Sequence, residues 1–327
     1  MIRSMTMVIE CEGLTKYYGK HRGIEDLTFG VPKGTTFGFL GPNGAGKTTT
    51  IRCLLGMLGP TAGVATVFGE RVRLDGHELR GRIGYVAGEL FMYEKETGRW
   101  HMDYVSRFRG GPGPLERDLV ERLDFDPSRR VKELSKGNKQ KLALILGLMH
   151  GPELLILDEP TSGLDPLNQE VVFDIIGERV RNGATLFLSS HILSEVERVC
   201  ERVGIIREGH LAAEESVRGL LSKRLRKLEI AFAEPVEPAF LAGLTGVEEV
   251  CLTGERSLRA TVKGENVDAL IKRLAEREVA DVSLEHASLE EVFMEYYREE
   301  APSESHGCAD ETASPEADAG PEGGDGR

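Results

Sequence analysis

The chain has no cysteines paired as C-x-x-C; Cys11, Cys53, Cys200, Cys251 and Cys308 are scattered through its 327 residues. That spacing suits neither a disulfide framework nor a zinc site, and it points to a reduced, cytosolic setting. Also missing is any run of about 18 apolar residues, the length that crosses a bilayer. The longest apolar run, Leu142 to Met149, reads as a short buried element. The N-terminus lacks the basic-then-apolar pattern of a signal peptide. The expectation is therefore a chain that does not itself span a membrane. Bases are scarce at the far end: from Ala301 onward seven acids stand against Arg327 alone, placing −6 of the net charge of −13 in that stretch. The remaining body is mildly acidic, which argues against broad nucleic-acid binding.

What is present is a chain with 40% apolar and 29% charged residues, the balance of a soluble globular protein. Its length suggests two domains, or one large domain with an appendage.

The chain is organised around residues 41–49, GPNGAGKTT, which match G-x-x-x-x-G-K-[ST]. A loop that wraps a triphosphate must turn many backbone N–H groups inward. Gly41, Gly44 and Gly46 allow the unusual dihedrals this takes. Pro42, Asn43 and Ala45 fill the loop between them, and Thr49 follows it. The next residues open a helix whose N-terminal amides and dipole face the phosphates. Lys47 adds a point charge for the outer phosphates, and the Thr48 hydroxyl is placed to ligate Mg²⁺. An apolar strand over residues 35–40 runs in, and residues 49–55 run out at helical spacing.

Upstream, residues 7–12 look like a first strand and 24–29 alternate like a second. An aromatic just before a phosphate loop can stack on a nucleotide base; by themselves Tyr17 and Tyr18 fit base stacking and packing at the sheet edge equally, and the motifs further along the chain favour stacking by Tyr18. Downstream, residues 64–68 and 83–87 read as strands. Arg71, Arg73, Arg80 and Arg82 read as the solvated face of a helix. Residues 88 to about 124 are mostly helical in pattern, interrupted by Gly110-Gly111-Pro112-Gly113-Pro114, which makes a helical insertion between strands. Ser135 fits an N-terminal cap for the helix that follows.

Leu154-Leu155-Ile156-Leu157-Asp158-Glu159 is the second strong pattern. Four apolar residues fit a buried parallel strand. The two acids fall at its carboxyl end, where open α/β sheets hold ligands. Asp158 would hold Mg²⁺, directly or through water, and Glu159 would polarise an attacking water. Ser162-Gly163-Leu164-Asp165 forms a turn. Another buried strand, 185–189, ends at Ser190-His191, so His191 becomes a third polar group at the same edge, suited to a γ-phosphate contact.

Six motifs thus occur in one order: Tyr18, the loop at 41–48, LSKGN at 134–138, the acidic strand, the SGLD turn and His191. Across roughly residues 8–225 they resemble the ATPase subunit of ABC transporters. The resemblance implies an α/β P-loop NTPase with a helical subdomain at about 88–145. It implies a head-to-tail homodimer, in which Ser135 and Gly137 of one copy cover ATP on the Gly41–Thr48 loop of the other. It further implies a separate integral-membrane permease as partner, no nucleic acid, and a peripheral place on the inner face of the cell membrane. Three positions, in two motifs, depart from the pattern. Lys136 and Asn138 stand where the signature segment usually has Gly and Gln. Gly88 stands where a Gln usually follows the strand at 83–87, with Glu89 as a substitute oxygen donor. The rival class is a soluble ABC ATPase of translation, repair or assembly, which usually carries two ATPase units, coiled coils or zinc sites that are not seen here.

Residues 226–300 form a separate pattern of strand (228–233), helix (237–243), strand (247–252), strand (258–263), helix (266–277) and strand (280–286). This is β-α-β-β-α-β, a small ferredoxin-like α+β arrangement. An added helix at 288–298 carries Leu289, Val292, Phe293 and Tyr296 as a buried stripe. Such a C-terminal domain resembles that of drug-resistance-type exporter ATPases. Residues 301–327 read as a disordered acidic tail.

Overall fold

A computed structural model describes residues 6–222, 225–263 and 267–286. The chain divides into two compact units, 1–223 and 224–327. The helix expected at 288–298 and the acidic tail lie outside the described residues.

The first unit begins with β1 (Met7–Tyr18) and β2 (His21–Pro32), a long antiparallel hairpin. β1 runs past residue 12, and shifts of register along the pair let it continue through Gly13 to Tyr18. Tyr18 therefore ends a strand instead of sitting in a loop. β3 (Thr36–Leu40), entirely buried, leads into the phosphate loop and α1 (Lys47–Leu54). β4 (Ala62–Val67) and β5 (Glu70–Arg71) complete a four-stranded antiparallel sheet in the order β2-β1-β4-β5.

After α2 (His77–Gly81) comes β6 (Ile83–Val86). The four arginines of this stretch do not share one helix face. Arg71 lies in β5 opposite Thr66 of β4, Arg80 reaches the Leu55 and Gly56 carbonyls, and Arg82 bridges Glu153 at 2.7 Å while lying over Phe68. The insertion holds α3 (Gly98–Phe108) and α4 (Glu116–Arg122), and α5 (Lys136–Leu148) follows it. Residues 88–97 are not helical; the helix starts only where Thr97 caps it, its side chain accepting from the Trp100 amide at 3.1 Å.

β7 (Leu154–Asp158), α6 (Pro166–Arg181), β8 (Thr185–Ser190), α7 (Leu193–Val199), β9 (Arg202–Arg207), β10 (His210–Ser216) and α8 (Val217–Ser222) close the unit. The main sheet has the order β10-β9-β3-β8-β7-β6, parallel from β9 to β6. β3 lies between β8 and β9, strands made much later in the chain. Phe29 of the antiparallel sheet stacks on Phe37, Phe39 and Phe187 of the parallel one, at centroid separations of 5.6–6.1 Å. These rings join the two sheets into one core. Cys11, Cys53 and Cys200 are buried as thiols, and burial pushes their pKa values up, to about 11 for Cys53.

The second unit has β11 (Leu225–Phe232), β12 (Val247–Gly254), β13 (Ser257–Lys263), α9 (Val267–Leu274) and β14 (Val279–His286). All neighbours are antiparallel and the order is β12-β13-β11-β14, the split arrangement of β-α-β-β-α-β. The first crossover is shorter than expected. Only a 3₁₀ turn forms, Pro238–Phe240, since Pro238 starts a turn and Gly243 and Gly246, both at positive φ, end it. This unit has its own core, including Leu228, Ile230, Phe232, Leu258, Val262 and Leu270.

Candidate active site

Strands β3, β8 and β7 are adjacent and parallel, so their carboxyl ends fall on one edge. From β3 comes the phosphate loop, from β7 Asp158 and Glu159, and from β8 Ser189, Ser190 and His191.

Gly46 caps α1 with φ 111°, a backbone that L side chains rarely adopt. A Cβ there would also lie 2.6 Å from Ile24 Cγ2 and 2.8 Å from the Gly23 carbonyl. Lys47 is 6% exposed, and its Nζ donates to the carbonyls of Gly41 (2.6 Å) and Pro42 (3.1 Å). The lysine thus braces its own loop. Burial holds its ammonium below the usual lysine range, while the Glu159 and Asp158 carboxylates oppose that shift. Ala45 of the loop is buried, and its carbonyl accepts from the Gly209 amide at 2.9 Å. Asn43 and Gly44 are exposed, and Gly44 has open space around its Cα.

The Thr48 hydroxyl donates to Asp158 Oδ2 at 2.8 Å, and the Ser189 hydroxyl donates to Asp158 Oδ1 at 2.7 Å. Asp158 is 3% exposed. A hydroxyl and a carboxylate oxygen already in contact form a hard-oxygen pair that fits Mg²⁺, which keeps several waters and takes few protein ligands. Among the described residues no group of three or more His, Cys, Asp or Glu side chains could form an all-protein cage. Gly88 borders this pair: a Cβ on it would meet Asp158 Oδ2 at 3.4 Å. The position where a glutamine is usual is thus beside the metal-type oxygens, with Glu89 exposed next to it.

Glu159 leaves the strand at φ 49°, in the left-handed region. Its amide donates to the Ser189 carbonyl at 2.9 Å, and His191 Nδ1 donates to its Oε1 at 2.8 Å. Tyr18 is 45% exposed, and its hydroxyl lies 3.4 Å from that of Thr49, which places the ring at the rim of the phosphate loop.

Ser135 and Gly137 are placed elsewhere. Ser135 caps α5 by accepting from the Asn138 amide at 3.2 Å, and no hydrogen bond joins either residue to the phosphate loop among the described residues. Instead a Cβ at Gly137 would lie 2.9 Å from the Gly163 carbonyl, so the signature segment packs on the SGLD turn of the same chain. Lys136 lays its stem over Gly163. Asp165 ends that turn by capping α6 through the Asn168 amide at 3.0 Å.

Sequence reading passed over Ser189, Gln140, Thr161 and Glu195. Gln140 is buried and donates to the Pro160 carbonyl at 2.8 Å. Glu195 is buried between Thr161 and Ser190.

The fold and this edge define a P-loop nucleoside triphosphatase. The family model described as "ABC transporter" matches residues 24–162. The bacitracin transport ATP-binding protein of Bacillus licheniformis is 40% identical over 230 residues, covering 68% of this chain and 74% of that protein. The Nod factor export ATP-binding protein I of Paraburkholderia xenovorans is 34% identical over 297 residues, covering 88% and 95%. Among solved structures, an ATP-binding subunit of an ABC transporter superposes with a TM-score of 0.61 at 29% identity, covering 65% of this chain and 91% of that one. The chain belongs to the ABC transporter ATP-binding family. It is an ATP-binding, ATP-hydrolysing protein of that family.

Proposed function

We propose that the chain is the ATP-driven motor of a membrane exporter whose substrate path lies in a separate permease. The observation that carries this reading is the convergence of Lys47, Thr48–Asp158 and Glu159–His191 on one sheet edge. The names of the bacitracin, Nod factor and multidrug relatives support export. They leave the soluble translation or repair reading without support.

Phosphoryl transfer to water needs mainly positioning and charge stabilisation. Lys47 and the loop amides hold the outer phosphates. Thr48 and Asp158 hold Mg²⁺, which when bound neutralises developing charge on the phosphates. Glu159 orients and polarises water, and His191 steadies Glu159 through Nδ1 and is placed to sense the γ-phosphate. Tyr18 offers its ring to the base. Ser135 and Gly137, which no hydrogen bond joins to the loop of their own chain among the described residues, would complete the site of a second copy, with a homodimer as the working unit. Residues 1–225 then form the ATPase body, 88–145 its helical part facing the permease at the inner membrane surface, and 226–300 a separate accessory domain. Absence of a membrane-crossing helix among the described residues fits a motor that leaves the crossing to a partner.

Glu159→Gln keeps the shape of the site and removes the base. The variant should bind ATP, accumulate as a dimer by sedimentation, and turn over at least roughly 100-fold more slowly. Normal hydrolysis by this variant would remove Glu159 from the catalytic role.

A further inference from the structure

Glu159 and His191 lie on two different loops, yet their contact is 2.8 Å. Glu159 also has a left-handed backbone, φ 49°, which costs energy for a side-chain-bearing residue and persists only when neighbours hold it. Something must fix both loops. The carboxylate of Glu195 lies between them, 6% exposed. One of its oxygens accepts from the Thr161 hydroxyl, two residues after Glu159. The other accepts from the Ser190 hydroxyl at 2.6 Å, one residue before His191. Ser190 Oγ in turn accepts from the Ile192 amide at 2.9 Å, which fixes the other side of His191.

These bonds close a circuit: Glu159, Pro160, Thr161, Glu195, Ser190, His191 and back to Glu159. The helix that carries Glu195 is itself pinned. Arg198, on the same helix, pairs with Glu170 of α6 and lies over Phe173 at 4.9 Å, and Val196 is fully buried. On the far side Gln140 holds the Pro160 carbonyl. Stability alone gives no reason for this carboxylate. Burying a charge costs more than two neutral hydroxyls return, and an apolar side chain of similar size is often as stable or more so.

We propose that Glu195 is a positioning residue for hydrolysis, which holds the Glu159 and His191 loops in the register that lets Glu159 reach water. The inference rests on the reading of Glu159 as the base. It acts through geometry, so it predicts an effect on turnover and not on nucleotide binding.

The test uses the full-length chain with MgATP. Glu195→Ala should lower kcat roughly 100-fold, the scale of a misplaced catalytic group, with KM for ATP changed less than about threefold. Glu195→Gln keeps one acceptor and one hydrogen-bonding amide, and should restore kcat to within about fivefold of wild type. Thr161→Val, which cuts one arm only, should fall between them while keeping the fold by circular dichroism. In a Glu159→Gln background, single-turnover hydrolysis should show no further loss on adding Glu195→Ala, because both changes remove the same step. Unchanged kcat in Glu195→Ala, or an equal additional loss in the Glu159→Gln background, overturns the proposal. The readings separate cleanly. If Glu159→Gln alone keeps normal turnover, the catalytic reading fails and this inference with it. If Glu159→Gln is inactive and Glu195→Ala is not, only the positioning role falls.

Discussion

At the scale of residues, Lys47 performs two tasks. Its ammonium braces the carbonyls of Gly41 and Pro42 at 2.6 and 3.1 Å and so holds the curvature of the loop, and its charge is placed for the outer phosphates. Charge-assisted hydrogen bonds of this kind each contribute about 1.5–3 kcal/mol, so Lys47→Ala should weaken ATP binding by roughly 10- to 100-fold in an equilibrium titration. His150 gives a pH signature. Burial, then the nearby Arg109 charge, lowers its pKa from 6.5 to about 4, although a bond to the Ile83 carbonyl works against this. The unfolded chain takes up a proton near pH 6.5 that the folded chain refuses until about pH 4. Folding stability should therefore fall as pH drops from 6.5 towards 4. Urea melts across that range read the slope, and His150→Gln should flatten it. The residues legible in the sequence were those whose chemistry demands a type at short spacing: the loop at 41–48, the Asp158–Glu159 pair, His191. Ser189, Gln140 and Glu195 were not legible. Asp158, Pro160 and Thr161, which they bond, lie 31, 20 and 34 positions away in the chain, and only the fold brings them together.

Among elements, the strand-loop-helix at β3 and α1 is the least tolerant. Gly46→Ala would place a Cβ against Ile24 and the Gly23 carbonyl in a backbone at φ 111°. The variant should lose nucleotide binding and at least roughly 2 kcal/mol of stability, read by thermal melting with and without ATP. By contrast Asp165→Ala removes one cap from a 16-residue helix and should cost about 1 kcal/mol in urea melts, with KM unchanged. Element types were mostly legible because apolar runs and turn residues alternate in the sequence. Lengths were less so. β1 continues to Tyr18 because register shifts absorb residues 12–17, and no periodicity announces a bulge. The connection at 237–243 has helical spacing, but Pro238 and two positive-φ glycines leave only a turn.

Across the whole molecule, the order β10-β9-β3-β8-β7-β6 could not be read from the chain, because β3 pairs with strands about 150 residues downstream in sequence. What the order does is decisive: it brings β3, β7 and β8 side by side with their carboxyl ends on one edge. The first unit buries its own aromatic core around Phe29, Phe37, Phe39 and Phe187. A chain ending at Lys223 should consequently fold and bind ATP with a Kd within about threefold of the full chain; a collapse in affinity would tie the nucleotide site to the second unit.

The insertion holds the chain's single tryptophan. Trp100 stacks on Tyr104 with centroids 4.9 Å apart and meets Tyr93 edge-on at 5.4 Å. Excited at the red edge of its absorption, the protein therefore emits from one helix only. That emission is a built-in optical gauge, needing no label, of whether the segment that would face a membrane partner senses the nucleotide.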